Sequence, residues 1–131
     1  FRTVNNKIDD CIFCSIPRDR IISENNLTFA IRDNYPVTTL HSLIIPKRHV
    51  ADYFSLTKDE LLSCDALLKE VKSSIKAEDE SVKAFNVGIN SGEAAGQTIF
   101  HCHIHLIPRR VGDVENPRGG IRHLIPGKGD Y

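Results

Sequence analysis

Three histidines alternate with other residues late in the chain, at His101, His103 and His105. If this segment forms a strand, alternate side chains project from one face, and the three imidazoles stand about 6.6 Å apart along it. A neutral imidazole can ligate a transition metal, and it is also a nucleophile suited to attack on phosphorus near neutral pH. The spacing therefore indicates a metal site or a nucleophilic site, with a solvated strand face as the alternative.

The second chemically informative segment is Cys11-Ile12-Phe13-Cys14. It comes before a proline turn rather than at the start of a βα unit, which disfavours a thioredoxin-like redox site. In a reducing compartment, two cysteines at this spacing indicate a metal site more than a disulfide. A pair of free thiols is the alternative interpretation.

The composition limits the classes of partner. The chain has 131 residues, with 17 Lys and Arg against 17 Asp and Glu. This length predicts one domain, and the balanced charge argues against nucleic acid or a membrane surface as a partner. No apolar run approaches the ~20 residues of a membrane span, and no leader-like apolar core follows Phe1. We therefore expect a cytoplasmic protein; because the chain does not begin with Met, whether residues precede Phe1 stays open.

Four strands are expected to position the chemically informative residues. Apolar and β-branched runs predict them at 27–33, 42–45, 84–89 and 100–107. Pro46 and Pro108 are expected to end the second and the fourth, because proline cannot donate a hydrogen bond to a strand ladder. The fourth strand carries the histidines on one face, and its other face is predicted to be core. The residues of that core face are Phe100, Cys102, Ile104 and Leu106.

One long helix completes the expected elements. Thr57 and Glu60 form a capping-box pattern, and the apolar stripe that follows predicts a helix ending near residues 77–79. Cys64 lies on this stripe and is predicted to be core. Strands combined with one long helix and short connections are typical of an α+β domain with a mainly antiparallel sheet.

The carboxyl-terminal end differs in composition from the rest. Residues 108–131 contain five of the eight Gly and three of the six Pro. This predicts an extended arm at 111–131 that packs on a domain formed by residues 1–110. Arg118 and Arg122 flank a Gly-Gly pair, and two guanidinium groups so placed can grip a polyphosphate through forked hydrogen bonds. The alternative is a solvated arm.

His-x-His-x-His followed by two apolar residues resembles the signature of the histidine triad (HIT) family. The resemblance covers about residues 11–110 and includes His41 with the residues after it, Asn90-Ser91-Gly92 and Gly96-Gln97-Thr98. It implies a mainly antiparallel five-stranded sheet with one long helix and a short one, in a two-fold homodimer. Members of the family are nucleotide hydrolases and transferases that act at the α-phosphate through a nucleotidyl-histidine intermediate.

The resemblance also implies roles for individual residues. His103 corresponds to the nucleophile, His105 would donate to a non-bridging phosphate oxygen, and His41 would complete the triad. Asp33 matches the position that accepts the ribose hydroxyls, with a turn aspartate as the alternative. Phosphate or leaving-group contacts are implied in the two loop motifs, against ordinary loop capping; the residues are Asn90, Gln97 and Thr98.

A metal site is implied in the same way. In several HIT proteins, and in the related hexose-1-phosphate uridylyltransferases, a Cys-x-x-Cys pair joins two histidines around zinc. The matching residues here are Cys11, Cys14, His49 and His101. Two thiolates and two imidazoles form the closed tetrahedral set of a structural zinc. No organic cofactor is expected.

These observations lead to one leading hypothesis and three alternatives. The arm resembles those of bacterial HIT proteins described as diadenosine tetraphosphate hydrolases, so a hydrolase of dinucleoside polyphosphates is the leading hypothesis. A nucleoside phosphoramidase would need the same apparatus. A nucleotidyl transferase is less favoured, because many such relatives have glutamine at the position of His105. A non-catalytic zinc-organised interaction module would have no need of His41, His103 and His105.

Overall fold

The computed structural model describes residues 10–131 in full and, of the residues before them, two short antiparallel strands, β1 (Thr3–Val4) and β2 (Lys7–Ile8). The main sheet is antiparallel throughout and has the strand order β3-β4-β5-β7-β6. Its strands are β3 (Ile21–Glu24), β4 (Thr28–Arg32), β5 (Ser42–Pro46), β6 (Val82–Ile89) and β7 (Ile104–Arg110). The one α-helix of the described residues is α1 (Lys58–Glu78). The predicted α+β class and the five-stranded sheet are therefore confirmed.

Helix α1 covers one face of the sheet. It begins with the predicted capping box, in which the Thr57 hydroxyl accepts from the Glu60 backbone N–H and the Glu60 carboxylate accepts from that of Thr57. Such a cap stabilises a helix by about 1 kcal/mol. The helix ends at Glu78, as predicted, and Cys64 is buried on its inner face. Its apolar stripe packs on sheet residues including Ile44 and Ile104.

The opposite face of the sheet is covered by the N-terminal segment. Phe13, in a one-turn 3₁₀ helix at Ile12–Cys14, packs on a second apolar cluster. The sheet residues of that cluster are Phe29, Ile31, Leu43 and Ile45. Leu43 pairs with His105 in the register of β5 and β7, so His105 projects from this face. The short helical elements of the described residues are all 3₁₀ turns, at Ile12–Cys14, Arg18–Arg20, Tyr53–Ser55, Glu93–Ala95 and Gly120–Leu124.

The predicted strand at 100–107 is wrong at both of its ends. The observed strand starts only at Ile104, because the Cys102 backbone N–H donates to the Val50 carbonyl, 2.7 Å away and outside the sheet. His101 and His103 therefore lie before the strand rather than on it. Phe100, predicted to be core, is 48% exposed, whereas the other three predicted core residues are buried: Cys102, Ile104 and Leu106.

At its other end the strand continues through Pro108 to Arg110. Pairing with β5 ends at Leu106, so beyond that residue β7 has a neighbouring strand on its β6 side only. On the side of β7 where β5 no longer pairs, the Pro108 carbonyl accepts from the Thr38 hydroxyl at 2.7 Å. Backbone N–H and C=O of one strand residue point the same way, so the missing proline N–H removes no ladder bond.

Strand β3 was not among the predicted strands. It has only four residues, and a register shift between Ile21 and Ser23 interrupts its pairing with β4.

The arm after β7 packs its 3₁₀ turn at Gly120–Leu124 against β6. The division into residues 1–110 and 111–131 stays a prediction. Within the part of the chain described, no helix is long and apolar enough to cross a membrane.

Candidate active site and metal centre

Three side chains meet on the sheet face that also contacts Phe13. His41 immediately precedes β5, Asp33 follows β4, and His105 is the second residue of β7. His41 Nε2 lies 2.9 Å from His105 Nδ1 and 3.4 Å from an Asp33 carboxylate oxygen. The register of the three neighbouring strands β4, β5 and β7 therefore brings together residues that are far apart in the sequence.

Hydrogen bonds determine which nitrogen of each of these rings carries the proton. The Val37 backbone N–H donates to His41 Nδ1 at 3.1 Å, so the proton of a neutral His41 is on Nε2. His41 Nε2 then donates to His105 Nδ1, which leaves the His105 proton on Nε2. His105 is therefore arranged as a hydrogen-bond donor through Nε2.

His103 has the opposite arrangement. Its Nδ1 lies 2.8 Å from the His101 carbonyl oxygen, which can only accept, so Nδ1 carries the proton and Nε2 carries the lone pair. The ring is held edge-on between Phe13, with centroids 5.0 Å apart, and His105, at 5.3 Å. A nucleophilic nitrogen and a hydrogen-bond donor thus stand side by side.

Burial keeps the two supporting histidines neutral. Burial, together with the nearby rings of His103 and His41, lowers the pKa of His105 to about 4, against an opposing effect of the Asp33 carboxylate. Burial also lowers the pKa of His41, and the Asp33 carboxylate opposes this shift. Near pH 7 both imidazoles are therefore uncharged, and the donor and acceptor assignments above hold.

The four predicted metal ligands form a second cluster beside the first. His101 Nδ1 lies 3.4 Å from both cysteine sulfurs, and His49 Nδ1 lies 3.3 Å from the Cys14 sulfur. Bonds of about 2.3 Å to sulfur and 2.0–2.1 Å to nitrogen around a tetrahedral zinc place such atoms about 3.5 Å apart. His101 Nε2 donates to the Pro46 carbonyl at 2.8 Å, which leaves Nδ1 free of a proton. Donor types, separations and tautomer all fit Zn²⁺.

An ion pair between a half-buried arginine and a buried glutamate lies next to the second of these histidines. Arg48, the residue before His49, donates to both oxygens of Glu60, at 2.7 and 3.0 Å. Glu60 is 4% exposed and also forms the cap of α1. Loss of Arg48 would leave the buried Glu60 carboxylate without this partner, whereas the Arg48 side chain, 38% exposed, could still be solvated. The ion pair fixes the start of α1 relative to the metal cluster.

The remaining predicted substrate contacts are more dispersed. Ile89 pairs with Ile104, so the next residue, Asn90, lies at the level of His103. Gln97 is buried, accepts from the Gly92 N–H and donates to the Ala51 and Ile99 carbonyls, so its amide organises the loop. Thr98 is exposed in that loop.

The two arginines of the arm lie on one aromatic ring. The guanidinium carbons of Arg118 and Arg122 are 4.7 and 4.8 Å from the centroid of Tyr131. Both arginines are exposed, and neither forms an ion pair within residues 10–131. The arm reaches the histidine-bearing face at Gly120, where an added Cβ would lie 3.4 Å from the Asn86 amide nitrogen.

Three contacts of the site were not predicted from the sequence. Two are backbone groups, the Val37 N–H and the Pro46 carbonyl, which leave no mark in side-chain types. The third is Phe13, whose ring contacts both His101 and His103. Its position between the two cysteines was the available signal, since a metal loop that holds residues 11 and 14 must also place residue 13.

Comparison with known proteins agrees with this geometry. The HIT domain family profile matches residues 16–112. The chain is 35% identical over 109 residues to the adenylylsulfatase HINT3 of Arabidopsis thaliana, a match covering 80% of this chain and 55% of that longer protein. A hypothetical histidine triad nucleotide-binding protein of Sulfolobus tokodaii is 36% identical with a TM-score of 0.72, covering 79% of this chain and 71% of that one.

A zinc-bound histidine triad family protein of Mycobacterium smegmatis is 33% identical with a TM-score of 0.73. That match covers 82% of this chain and 80% of the other. The chain belongs to the histidine triad (HIT) family. Relatives in this family are thus described as nucleotide-binding and as hydrolytic, and one of them binds zinc.

Proposed function

We propose that this protein is a nucleotide hydrolase that acts at the α-phosphate by double displacement, with dinucleoside polyphosphates as its preferred substrates. The observation that carries the proposal is the pairing of an Nε2 lone pair on His103 with an Nε2–H on His105, 5.3 Å apart between ring centroids. An attacking nitrogen and a donor for phosphate oxygen are what in-line substitution at phosphorus requires.

In the first step the His103 Nε2 lone pair forms a bond to the α-phosphorus. The bond from phosphorus to the leaving group breaks, and the leaving group departs with that electron pair. His105 Nε2–H donates to a non-bridging phosphate oxygen, and His41 holds His105 in the donating tautomer. The ring of His103 becomes cationic, and the His101 carbonyl at 2.8 Å from Nδ1 stabilises the positive charge.

In the second step a water oxygen attacks the same phosphorus. The nitrogen–phosphorus bond breaks, its electron pair returns to His103 Nε2, and the water releases a proton to solvent. Asp33 is assigned to the ribose hydroxyls, and Asn90 is assigned to the phosphate or the leaving group. Gln97 and Thr98 lie in the loop between β6 and β7. Because the Gln97 amide is hydrogen-bonded to backbone groups of Gly92 and Ala51, we assign Gln97 a role in holding the loop conformation.

A substrate panel with covalent trapping tests this function. Diadenosine tetraphosphate, adenosine phosphoramidate and adenylyl sulfate share an α-phosphate and differ in leaving group; the last is included because a relative is an adenylylsulfatase. Quenched turnover should leave an adenylyl label on the protein that a His103→Asn variant lacks. An unlabelled wild-type protein that still turns over would contradict the mechanism, and no turnover of any of the three would contradict the function.

The alternative leaving group is an amine, as in a nucleoside phosphoramidase. The preference for a polyphosphate depends on Arg118 and Arg122, which form no ion pair among residues 10–131 and lie on the Tyr131 ring, where their charges suit phosphates remote from the cleaved bond. A transferase is less favoured because His105 supplies a donor at a position where glutamine is typical of the related transferases.

Zinc is assigned to Cys11, Cys14, His49 and His101, and its role is structural. Four protein ligands leave no open coordination position, so the ion would stabilise the fold rather than activate water. It would join the N-terminal segment to the residues before β7, and its binding free energy would add to the free energy of folding.

The protein is also proposed to be a homodimer formed through β6. This strand is at the edge of the sheet, and its outer side pairs with no strand among the described residues. Val87 on it is 51% exposed, beside a groove formed with α1 that contains Leu68 and Phe85. Light scattering should report a dimer that Val87→Lys weakens; a wild-type monomer at micromolar concentration would contradict the assignment.

A further inference from the structure

The cluster of Asp33, His41 and His105 has a property that nucleotide hydrolysis does not use. Its three ligand-type atoms, a carboxylate oxygen, Nε2 and Nδ1, all lie within 4.8 Å of one another. We propose that these three residues form a second binding site for a divalent transition-metal ion, Zn²⁺ above all, distinct from the cysteine-containing cluster and mutually exclusive with bound nucleotide.

The separations of the ligand atoms support this site. His41 Nε2 is 2.9 Å from His105 Nδ1 and 3.4 Å from the Asp33 oxygen. Bonds of about 2.0–2.2 Å to one ion place adjacent ligand atoms about 3.0–3.4 Å apart, depending on the coordination angle. Two of the three separations therefore already match those of a shared ion, and the third, between the Asp33 oxygen and His105 Nδ1, is within 4.8 Å.

Metal binding is a proton exchange at one defined atom. His41 Nδ1 accepts from the Val37 N–H, so only Nε2 of this ring can turn toward the cluster. The ion takes the Nε2 lone pair that the proton held, and that proton leaves to solvent. His105 Nδ1 is already a lone pair in the hydrogen-bonded state, and the Asp33 carboxylate supplies the negative charge that partly neutralises the ion.

The donor set predicts an ion that is bound more weakly, and exchanges more readily, than an ion in the cysteine-containing cluster. Two imidazoles and one carboxylate, without thiolate, are typical of zinc sites with an open coordination position. The second ion would therefore be lost in gentle purification while the first one stays. Among first-row metals, Zn²⁺ and Cu²⁺ should bind more tightly than Mn²⁺.

The consequence for nucleotide rests on the proposed function. An ion on Asp33 occupies the group assigned to the ribose hydroxyls, whereas His105 with an ion on Nδ1 keeps its proton on Nε2. Free Zn²⁺ should therefore raise the KM for a nucleotide substrate, because metal and nucleotide compete for Asp33. Metal binding itself does not depend on turnover and can be measured without it.

Cobalt(II) titration of metal-free protein tests the site directly, because thiolate-bound cobalt has a charge-transfer band that nitrogen and oxygen ligation lacks. The first equivalent should produce that band, and a second should add visible absorption without increasing it. Asp33→Asn and His41→Gln should weaken the second equivalent at least tenfold and keep the first. Glu93→Gln, an exposed carboxylate outside both clusters, is the matched control and should keep two equivalents.

A wild-type stoichiometry of one, or two unchanged equivalents in Asp33→Asn, would overturn the proposal. If His41→Gln does not fold, it will lack the first thiolate band as well, and Asp33→Asn decides the question. A protein that binds two equivalents but hydrolyses none of the three nucleotides would refute the proposed function and leave the metal site standing. Turnover inhibited by Zn²⁺ with KM unchanged would refute the exclusion of nucleotide.

Discussion

The two histidine clusters at either end of the 101–105 segment each contain a histidine that donates to a backbone carbonyl, but from different ring nitrogens. In the metal cluster, His101 donates from Nε2 to a backbone carbonyl, that of Pro46, and its free nitrogen is Nδ1. In the triad, His103 donates from Nδ1 to a backbone carbonyl, that of His101, and its free nitrogen is Nε2. Which nitrogen is held therefore decides whether the lone pair faces buried sulfurs or the open site. Residues of one type, two positions apart, acquire separate chemistry from main-chain partners alone.

Replacing His103 by Asn tests this division most strongly. Loss of a covalent nucleophile typically lowers kcat by several orders of magnitude, so we expect at least about a 10⁴-fold decrease. The melting temperature should hardly change, since the hydrogen bond that joins His103 to the predicted metal ligand His101 uses only the His101 backbone carbonyl. Steady-state kinetics beside a thermal melt measure both quantities. Retained activity in a folded variant would show that another group attacks phosphorus.

Cys14→Ala should have the reverse pattern. Loss of a thiolate from a closed zinc site should release about one zinc per chain and lower the free energy of unfolding by several kcal/mol. Activity per folded molecule should fall less than tenfold, because the His101 carbonyl remains in place. Metal analysis, melts and kinetics on one preparation test this, with Cys64→Ala as the control for a buried cysteine outside the cluster. Turnover lost together with zinc in a protein that stays folded would make the metal catalytic.

Acid should lower the free energy of unfolding through the partly buried imidazole of His105. In the unfolded chain the imidazole of His105 binds a proton near pH 6.5, whereas burial lowers its pKa to about 4 in the folded protein. Protons therefore bind preferentially to the unfolded state between these values, and the contribution of His105 to stability is lost as the pH falls from about 6.5 to about 4.

Denaturant titrations at pH 7 and pH 4.5 measure this effect when wild type and His105→Asn are compared. The wild type should lose about 1–2 kcal/mol more than the variant, less than the full shift implies because the ring is partly exposed. Zinc release at low pH affects both proteins and cancels in the difference. Identical pH dependence of the two proteins would contradict the neutral, buried state of His105.

The smallest expected effect concerns the arm. Replacing Arg118 and Arg122 together by Ala should raise KM for diadenosine tetraphosphate about tenfold, equivalent to 1.4 kcal/mol, and spare adenosine phosphoramidate. Lys128→Ala in the same arm is the control for loss of one positive charge away from the Tyr131 ring. Equal effects on both substrates, or none on either, would identify the arm as a solvated segment.

Much of this arrangement could be predicted from the sequence, because its determinants are local. The capping box of Thr57 and Glu60 and the apolar stripe of α1 are visible in side-chain types and were both correct. The start of β7 could not be predicted, since it depends on the bond from the Cys102 N–H to the Val50 carbonyl. The same holds for Pro108, whose tolerance depends on where the pairing with β5 stops.

The site divides in the same way. The two sets of ligand types were visible as spacings, but joining Cys11 to His101 or Asp33 to His105 required either a family resemblance or the structure. Ninety residues separate Cys11 from His101, and no local rule connects them. The proton positions on His41 and His103 depend on backbone groups, which every residue has and which therefore carry no sequence signal.

The contact between the His101 carbonyl and His103 has an evolutionary consequence. Every amino acid has a main-chain carbonyl, so a substitution at position 101 removes the metal ligand without removing the acceptor that orients His103. Descendants of such a protein can therefore discard the metal in one mutational step and keep the reaction. The reverse order is closed to them under the proposed mechanism, because a change of residue 103 would remove the nucleophile whatever stands at 101. Loss of the metal and loss of the reaction are thus separable in one direction only.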